Sequence, residues 1–293
     1  MRVAAPAASV VVPALDEGAN LVDTVTLAME HSGRHDVECL VVADGWEPPA
    51  TRLSGDRRVK VLKTPRVGVG LARNAGASQA RGELLVFLDG HCWVPQGWLD
   101  ELVAPFEDER VGLVGPAFGS LRHGGEPRGH GVTWRDPSLE IHWLPPRSAG
   151  PHRVPLAIGA CQAMRRRDFE RLGGYDAGMT EWGSEDLEMC LRVWAHGLDV
   201  VVQPRAAVYH LFRDRHPYPV VAADILHNRL RMALLHLRPE RVTRVLEHHR
   251  DFPGFAAGVV RLLDSDVMER RRELAELRCR DDDWLSHTFD WRV

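Results

Sequence analysis

The chain has 293 residues, 44% of them hydrophobic, enough for one large domain or two small ones with a real core, which excludes a disordered tail or a small stapled scaffold. Lys plus Arg number 37 against 41 Asp plus Glu, a formal balance of −4, so no basic excess marks a nucleic-acid surface. Cys39, Cys92, Cys161, Cys190 and Cys279 are scattered and form no Cys-x-x-Cys pair, so neither a disulfide framework nor a thiolate zinc site is indicated.

In chain order, the apolar start from Met1 to Leu15 holds Pro6 and Pro13 and meets Asp16-Glu17. It is too short for a membrane span and lacks a basic leader with a cleavage site, so a reduced, cytoplasmic protein without an integral membrane segment is expected. Ser9–Val12 reads as a strand, and Leu21, Val25 and Leu27 suit a helix lasting to about Ser32. Cys39–Val42, Val59–Leu62 and Leu84–Leu88 are continuous apolar runs of the kind found in buried parallel strands. Strands alternating with helices predict an α/β layout, a mainly parallel sheet covered by helices.

Residues 116–155, rich in Gly, Pro, His, Arg and Trp and without period, read as a long excursion outside the core. Ile158–Met164 resumes a strand, Asp168–Leu172 and Ser184–His196 read as helices, and Asp199–Val202 and Ala207–Tyr209 as two further strands. Beyond Arg213 the pattern is helical over 220–237, 240–249 and 258–278. The expected division is a domain over 1–235, with a nucleotide-binding half to 115 and an acceptor and metal half to 235, followed by a helical extension over 236–293.

The strand Leu84–Leu88 delivers Asp89-Gly90-His91 at its carboxyl end, the edge where open α/β sheets bind ligands. If the extension continued, Asp89 and His91 would point the same way and grip one divalent cation, and mixed oxygen and nitrogen ligation suits manganese better than calcium. An Asp-Gly after a strand also reads simply as a turn. Upstream lies the glycine-rich connection Gly68–Gly76; downstream come Trp182-Gly183-Ser184-Glu185-Asp186-Leu187-Glu188 and Tyr209-His210-Leu211-Phe212-Arg213.

Together with Ser9–Glu17 and Val41–Gly45, these segments resemble the GT-A-fold glycosyltransferases, and most closely the polypeptide N-acetylgalactosaminyltransferases and related family 2-like bacterial-type enzymes, over roughly residues 8–235. The resemblance implies a GT-A fold and a transfer of a hexose or N-acetylhexosamine from a UDP-sugar to a hydroxyl acceptor, whether peptide, small molecule or glycan. It implies manganese or magnesium held by Asp89, His91 and His210. It also places Pro13, Ala14, Leu15, Glu17, Asp44, Arg73, Asp89, Gly90, Gly159 and Ala160 around the nucleotide-sugar, with Trp182, Glu185, Asp186 and Arg213 at the reacting centre. The pattern departs from the peptide-modifying enzymes in Ala43-Asp44, where they have paired Asp, and in Ser184 and Asp186, where they have Gly and Asn.

Breaking the sugar–phosphate bond builds negative charge on the leaving diphosphate, which a divalent ion and the bidentate guanidinium of Arg213 would neutralise. Glu185 would accept hydrogen bonds from donor-sugar hydroxyls, although two carboxylates in a first helical turn, capped by Ser184, are favoured there without catalysis. A retaining transfer is expected from the resemblance; the alternative is an inverting transfer with Asp186 as general base. Arg73 would reach the nucleotide or else sit on a surface helix paired with an acid. The segment 214–219 would act as a mobile lid, or its prolines would merely end a strand. His196, His216, His227, His236, His248 and His249 read as surface or packing histidines.

Overall fold

In the computed structural model, which describes residues 6–48, 53 and 55–293, the core is a nine-stranded sheet. The first five residues of the apolar N-terminal stretch lie outside the described residues. The first half contributes β1 (Ala8–Ala14), β2 (Val37–Asp44), β3 (Val59–Thr64), β4 (Leu84–Leu88) and β5 (Cys92–Trp93), with helices α1 (Ala19–Glu30) and α2 (Val69–Gln79) between them. Helix α3 (Trp98–Val103) then leads to β6 (Val111–Ser120). Beyond it come β7 (Val132–Thr133), β8 (His142–Trp143), β9 (His152–Arg153), β10 (Cys161–Arg165), α4 (Arg166–Leu172), α5 (Glu185–Ala195) and β11 (Asp199–His210).

The strand order is β3-β2-β1-β4-β10-β6-β11-β5, with β9 on β11, and β7 and β8 form a separate pair. Strands β1 to β4 are mutually parallel, β6 and β11 are parallel, and β10 runs against β4 and β6. This is the expected mixed, mainly parallel sheet with helices packed on it. Every residue of β1 and β2 is buried, which is why Val10–Val12 and Cys39–Val42 within them read as uninterrupted apolar runs rather than alternating ones. Pro13 is tolerated inside β1 because the pairing with β4 ends at Val11, two residues before it.

Three expectations are corrected. Gly68–Gly76 is not a connection but most of helix α2, and Gly76 is needed because a Cβ there would run into Val11 and come within 3.0 Å of Val42. The two strands expected over 199–209 are one strand, β11, with a register shift between Gln203 and Ala207. The excursion is in part core: β6 extends to Ser120, and Val132, Trp134, Leu139, Val154 and Leu156 are buried in the main cluster.

After β11 the chain is helical: α6 (Ala222–His236) closes the part expected to end at 235, and the extension expected over 236–293 holds α7 (Pro239–His249), α8 (Phe255–Leu263), α9 (Val267–Glu276) and α10 (Asp282–Phe289). The single helix expected over 258–278 is broken between α8 and α9 around Ser265, whose hydroxyl bonds back to Leu262 O at 2.8 Å. The extension is docked on α5 and β11: Trp284 lies 5.4 Å from Trp194, and Arg280 bonds Asp199 at 2.9 Å. No described helix is long and apolar enough to cross a membrane.

Candidate active site

Between β1 and β4 the sheet order reverses, since β2 and β3 lie on one side of β1 and the later strands on the other. Past Val11 the paired strands separate, and the crevice opens at their carboxyl ends, the place where such sheets bind ligands. From β1 the chain brings Pro13, Ala14, Leu15 and Glu17 to the crevice, and from β4 Asp89, Gly90 and His91. Asp89-Gly90-His91 is a turn rather than continued strand. Gly90 is needed there because a Cβ would come within 3.0 Å of Glu17 Cγ.

The turn returns the chain into β5, which pairs antiparallel with the end of β11, Cys92 opposite His210. That short ladder, continued by Leu211 N–H donating to His91 O at 3.1 Å, sets the two imidazoles side by side with centroids 4.6 Å apart. Asp89, His91 and His210 offer ligand atoms that all lie within 4.8 Å of one another, the one such cluster among the described residues. Both ring nitrogens of His210 are buried without a hydrogen-bond partner, and Nδ1 of His91 is buried with only Glu17 Oε2 near it, at 3.1 Å. One carboxylate and two imidazoles with unused nitrogens fit a divalent cation such as manganese. Burial alone would raise the Asp89 carboxyl, but neighbouring His210, Arg73 and His91 outweigh it and hold it well below the usual carboxylate range.

The groups behind the triad are themselves paired. Arg73, fully buried on α2, donates to Asp89 Oδ1 at 3.0 Å, Glu185 Oε1 at 2.9 Å and Gly159 O at 2.9 Å. It is neither a surface cation nor part of a loose connection, but a clamp joining three segments of the site. Arg213 donates to Glu17 Oε2 at 2.5 Å, and His91 Nδ1 lies 3.1 Å from the same oxygen. Burial would raise Glu17, and His91 and Arg213 bring it below its ordinary value. Asp44 accepts from the backbone N–H of Val67 at 2.7 Å and of Gly68 at 3.0 Å and from the Thr64 hydroxyl at 3.1 Å, leaving lone-pair capacity toward the cavity it lines.

Glu185 and Asp186 open α5, but Ser184 does not cap it; Ser184 has φ 69° and makes no side-chain cap bond. Glu185 instead accepts from Gly183 N–H at 3.0 Å as well as from Arg73. Asp186 accepts from Gly159 N–H at 2.6 Å and Leu187 N–H at 2.9 Å, and burial, then the charge of Glu185, raise its carboxyl. Neither Glu185, Asp186, Gly159 nor Ala160 lines the cavity. Gly159 packs against Asp186 and Arg73, and the carbonyl of Ala160 accepts from Asp89 N–H at 3.0 Å, so these residues buttress the metal-ligand turn from behind.

The cavity over the triad, about 250 Å³, is also lined by Gly68, Val69 and Ala72 of the glycine-rich segment, by His216 and Tyr218 of the segment read as a lid, and by Glu181, Leu211 and Phe212, which had no individual role in the sequence reading. His216, read as a surface or packing histidine, stands edge-on to Trp182 at 4.6 Å and 5.4 Å from Tyr218. It was illegible because its place depends on how the chain folds back after β11. Phe212 packs between His210 at 4.5 Å and Trp143 at 5.8 Å, which joins the excursion to the site.

Residues 9–173 match the family described as glycosyl transferase family 2, and residues 149–216 match one described as the N-terminal domain of galactosyltransferase. Polypeptide N-acetylgalactosaminyltransferase 12 of Mus musculus is 32% identical over 97% of this chain and 51% of its own length. Polypeptide N-acetylgalactosaminyltransferase 11 of Xenopus tropicalis is 36% identical over 60% of this chain and 32% of its own. The chain thus spans about half the length, or less, of these curated relatives. Among solved structures, GalNAc-T7 with UDP, GalNAc and Mn2+ superposes with a TM-score of 0.81 at 23% identity, covering 98% of this chain and 57% of that one. The mannosyltransferase PcManGT from Pyrobaculum calidifontis, with GDP-Man and Mn2+, gives 0.51 at 16% identity over 98% of this chain and 88% of that one. A GT-A-like sheet, a carboxylate and two histidines gathered at its switch point, and a family match across more than half of the residues place this chain in glycosyl transferase family 2.

Proposed function

We propose that the protein is a metal-dependent glycosyltransferase that moves a hexose or N-acetylhexosamine from a UDP-sugar to a hydroxyl acceptor. The observation that carries this reading is the convergence of Asp89, His91 and His210, with unpaired imidazole nitrogens, on the cavity lined by Asp44 and Arg213. When bound there, a divalent ion supplies Lewis-acid stabilisation to the departing diphosphate. Asp44, beside the strand ends, is placed to meet the uracil. Arg213 would leave Glu17 to bind diphosphate oxygens as charge builds on them. Arg73 keeps the Asp89 carboxylate ionised and turned toward the histidines, and Glu185, fixed by Arg73 and Gly183 N–H, holds that clamp in place.

A retaining outcome, as implied by the likeness to N-acetylgalactosaminyltransferases, is supported by Asp186. Both its oxygens accept backbone hydrogen bonds and it stands outside the cavity, a poor position for a general base toward an acceptor hydroxyl. Trp182, His216 and Tyr218 line the cavity together, with Trp182 and His216 edge-on at 4.6 Å, which supports a lid over 214–219 that opens to admit the donor. Trp143 and Phe212 beside His210 support the excursion as part of the acceptor side.

The test is slow donor hydrolysis. A panel of nucleotide sugars with manganese should yield UDP and free sugar, with the first-formed anomer, read by NMR ahead of mutarotation, matching that of the donor. Release of pyrophosphate would instead indicate a nucleotidyltransferase, inverted sugar would restore Asp186 as base, and binding without turnover would mark a non-catalytic nucleotide-sugar binder.

A further inference from the structure

The cavity wall that carries Glu181 and Trp182 is built on unfavourable backbone. Glu181 has φ 46° and Ser184 φ 69°, in the left-handed region that side-chain-bearing residues rarely occupy, and Gly183 between them has φ 107°. Such strain persists only where the surroundings over-determine the conformation. The surroundings here are helix α6, whose side chains take hold of every second residue leading up to the wall. Arg231 donates to both oxygens of Asp176 at 3.0 and 2.9 Å, and His227 Nε2 donates to Gly178 O at 2.8 Å.

Asn228 makes the last and densest of these contacts. It is 1% exposed; its Oδ1 accepts from Thr180 N–H at 2.8 Å, and its Nδ2 donates to Thr180 O at 2.6 Å and to Trp182 O at 3.3 Å. We infer that Asn228 is a positioning residue, whose carboxamide fixes the strained Thr180–Trp182 backbone and so sets the Trp182 indole against His216 across the cavity.

Only a carboxamide can do this, because the segment presents one N–H and two carbonyls and therefore demands an acceptor and a donor on one short side chain. An isosteric carboxylate would face both carbonyl oxygens with a lone pair. The helix bearing Asn228 is also the one into which the 213–219 segment runs, so one element anchors both walls that meet over the triad. The consequence for ligand affinity rests on the transferase reading; the placement of Trp182 does not.

The experiment uses the full chain labelled with 5-fluorotryptophan, the Trp182 resonance being assigned among the nine tryptophans by Trp182→Phe. In ligand-free Asn228→Asp, fluorine NMR should show the Trp182 signal shifted or broadened while the other signals hold their positions. With manganese present, the Kd for UDP should rise about tenfold. A loss of thermal stability with every tryptophan signal in place, in both Asn228→Asp and Asn228→Ala, overturns the inference. Should neither variant fold, hydrogen exchange of the Thr180 amide in the unaltered protein decides: protection comparable to helical amides supports the clamp, and exchange as fast as an open loop overturns it. A wild-type protein that fails to bind UDP would count against the nucleotide reading while leaving the fluorine result to stand.

Discussion

Arg213 and Glu17 form a close ion pair at the mouth of the cavity, where a diphosphate would offer the guanidinium a second, more highly charged partner. Losing one preorganised charge-stabilising donor costs about 3 kcal/mol of transition-state free energy. Arg213→Ala should therefore lower kcat by roughly two orders of magnitude while shifting the urea midpoint far less; a parallel loss of folding and turnover would assign the arginine to structure instead. At this scale the sequence was informative wherever chemistry and spacing coincide. Asp89 and His91 are legible from a strand end and a glycine turn, His210 only through the family resemblance, and the structure gathers all three. Arg73 was harder to read: an arginine in a stretch of small residues gives no sign that it will be wholly enclosed by two carboxylates and a carbonyl.

Among elements, the strands buried on both faces, β1, β2 and β4, were readable as apolar runs, whereas β6 was hidden behind Gly112, Gly115, Pro116 and Gly119. Those residues answer to neighbours rather than to strand propensity. A Cβ on Gly112 would press on Leu198, one on Gly115 on Ala157, and Pro116 stands opposite Gln203 where β11 shifts register. The segment 214–219 was readable as a lid from its prolines and its place after His210 and Arg213, but not which of its side chains face inward. His216 and Tyr218 face the cavity because the segment after β11 doubles back onto Trp182 and onto Arg66, which lies 5.7 Å over the Tyr218 ring. Limited proteolysis should cut within 214–219 in the free protein and be suppressed by UDP with manganese; an unaltered cleavage pattern would remove the lid from the scheme.

Across the whole molecule, α5 and the C-terminal helices are joined by a fully enclosed ionic cluster. Glu188 on α5 pairs with Arg192 and accepts from His236 Nε2 of α6 at 2.8 Å, while Arg192 also reaches Leu172 O at 2.8 Å. Burial would raise the Glu188 carboxyl, but the Arg192 charge and the His236 hydrogen bond prevail and hold it at about 2, below its ordinary 4.5. Burial likewise pushes His236 below its usual 6.5, so it serves as a neutral donor. In both cases the unfolded chain takes up protons more readily than the folded one, so stability is complete above the unfolded values and declines with acid. The His236 contribution fades as pH drops below about 6.5, and that of Glu188, on the order of 3 kcal/mol, between about 4.5 and 2. Urea midpoints measured from pH 7.5 to 3.5 should fall progressively. Glu188→Gln should be less stable at pH 7.5 by about 3–5 kcal/mol, having left Arg192 without its counter-charge, and should lose much of that pH slope; an unchanged slope would exclude the cluster as its origin.

The pairing of Cys92 with His210 lets two residues of ladder decide where two imidazoles stand. Cation affinity and the integrity of that hem of the sheet are then one equilibrium seen from two ends: whatever grips the rings also stitches β5 to β11, and whatever frays the stitch releases the ion. Chelation should thus register far from any chemistry, as quicker deuterium uptake at the Leu211 amide that donates to His91 O, with the amides of β1 and β2 unaffected.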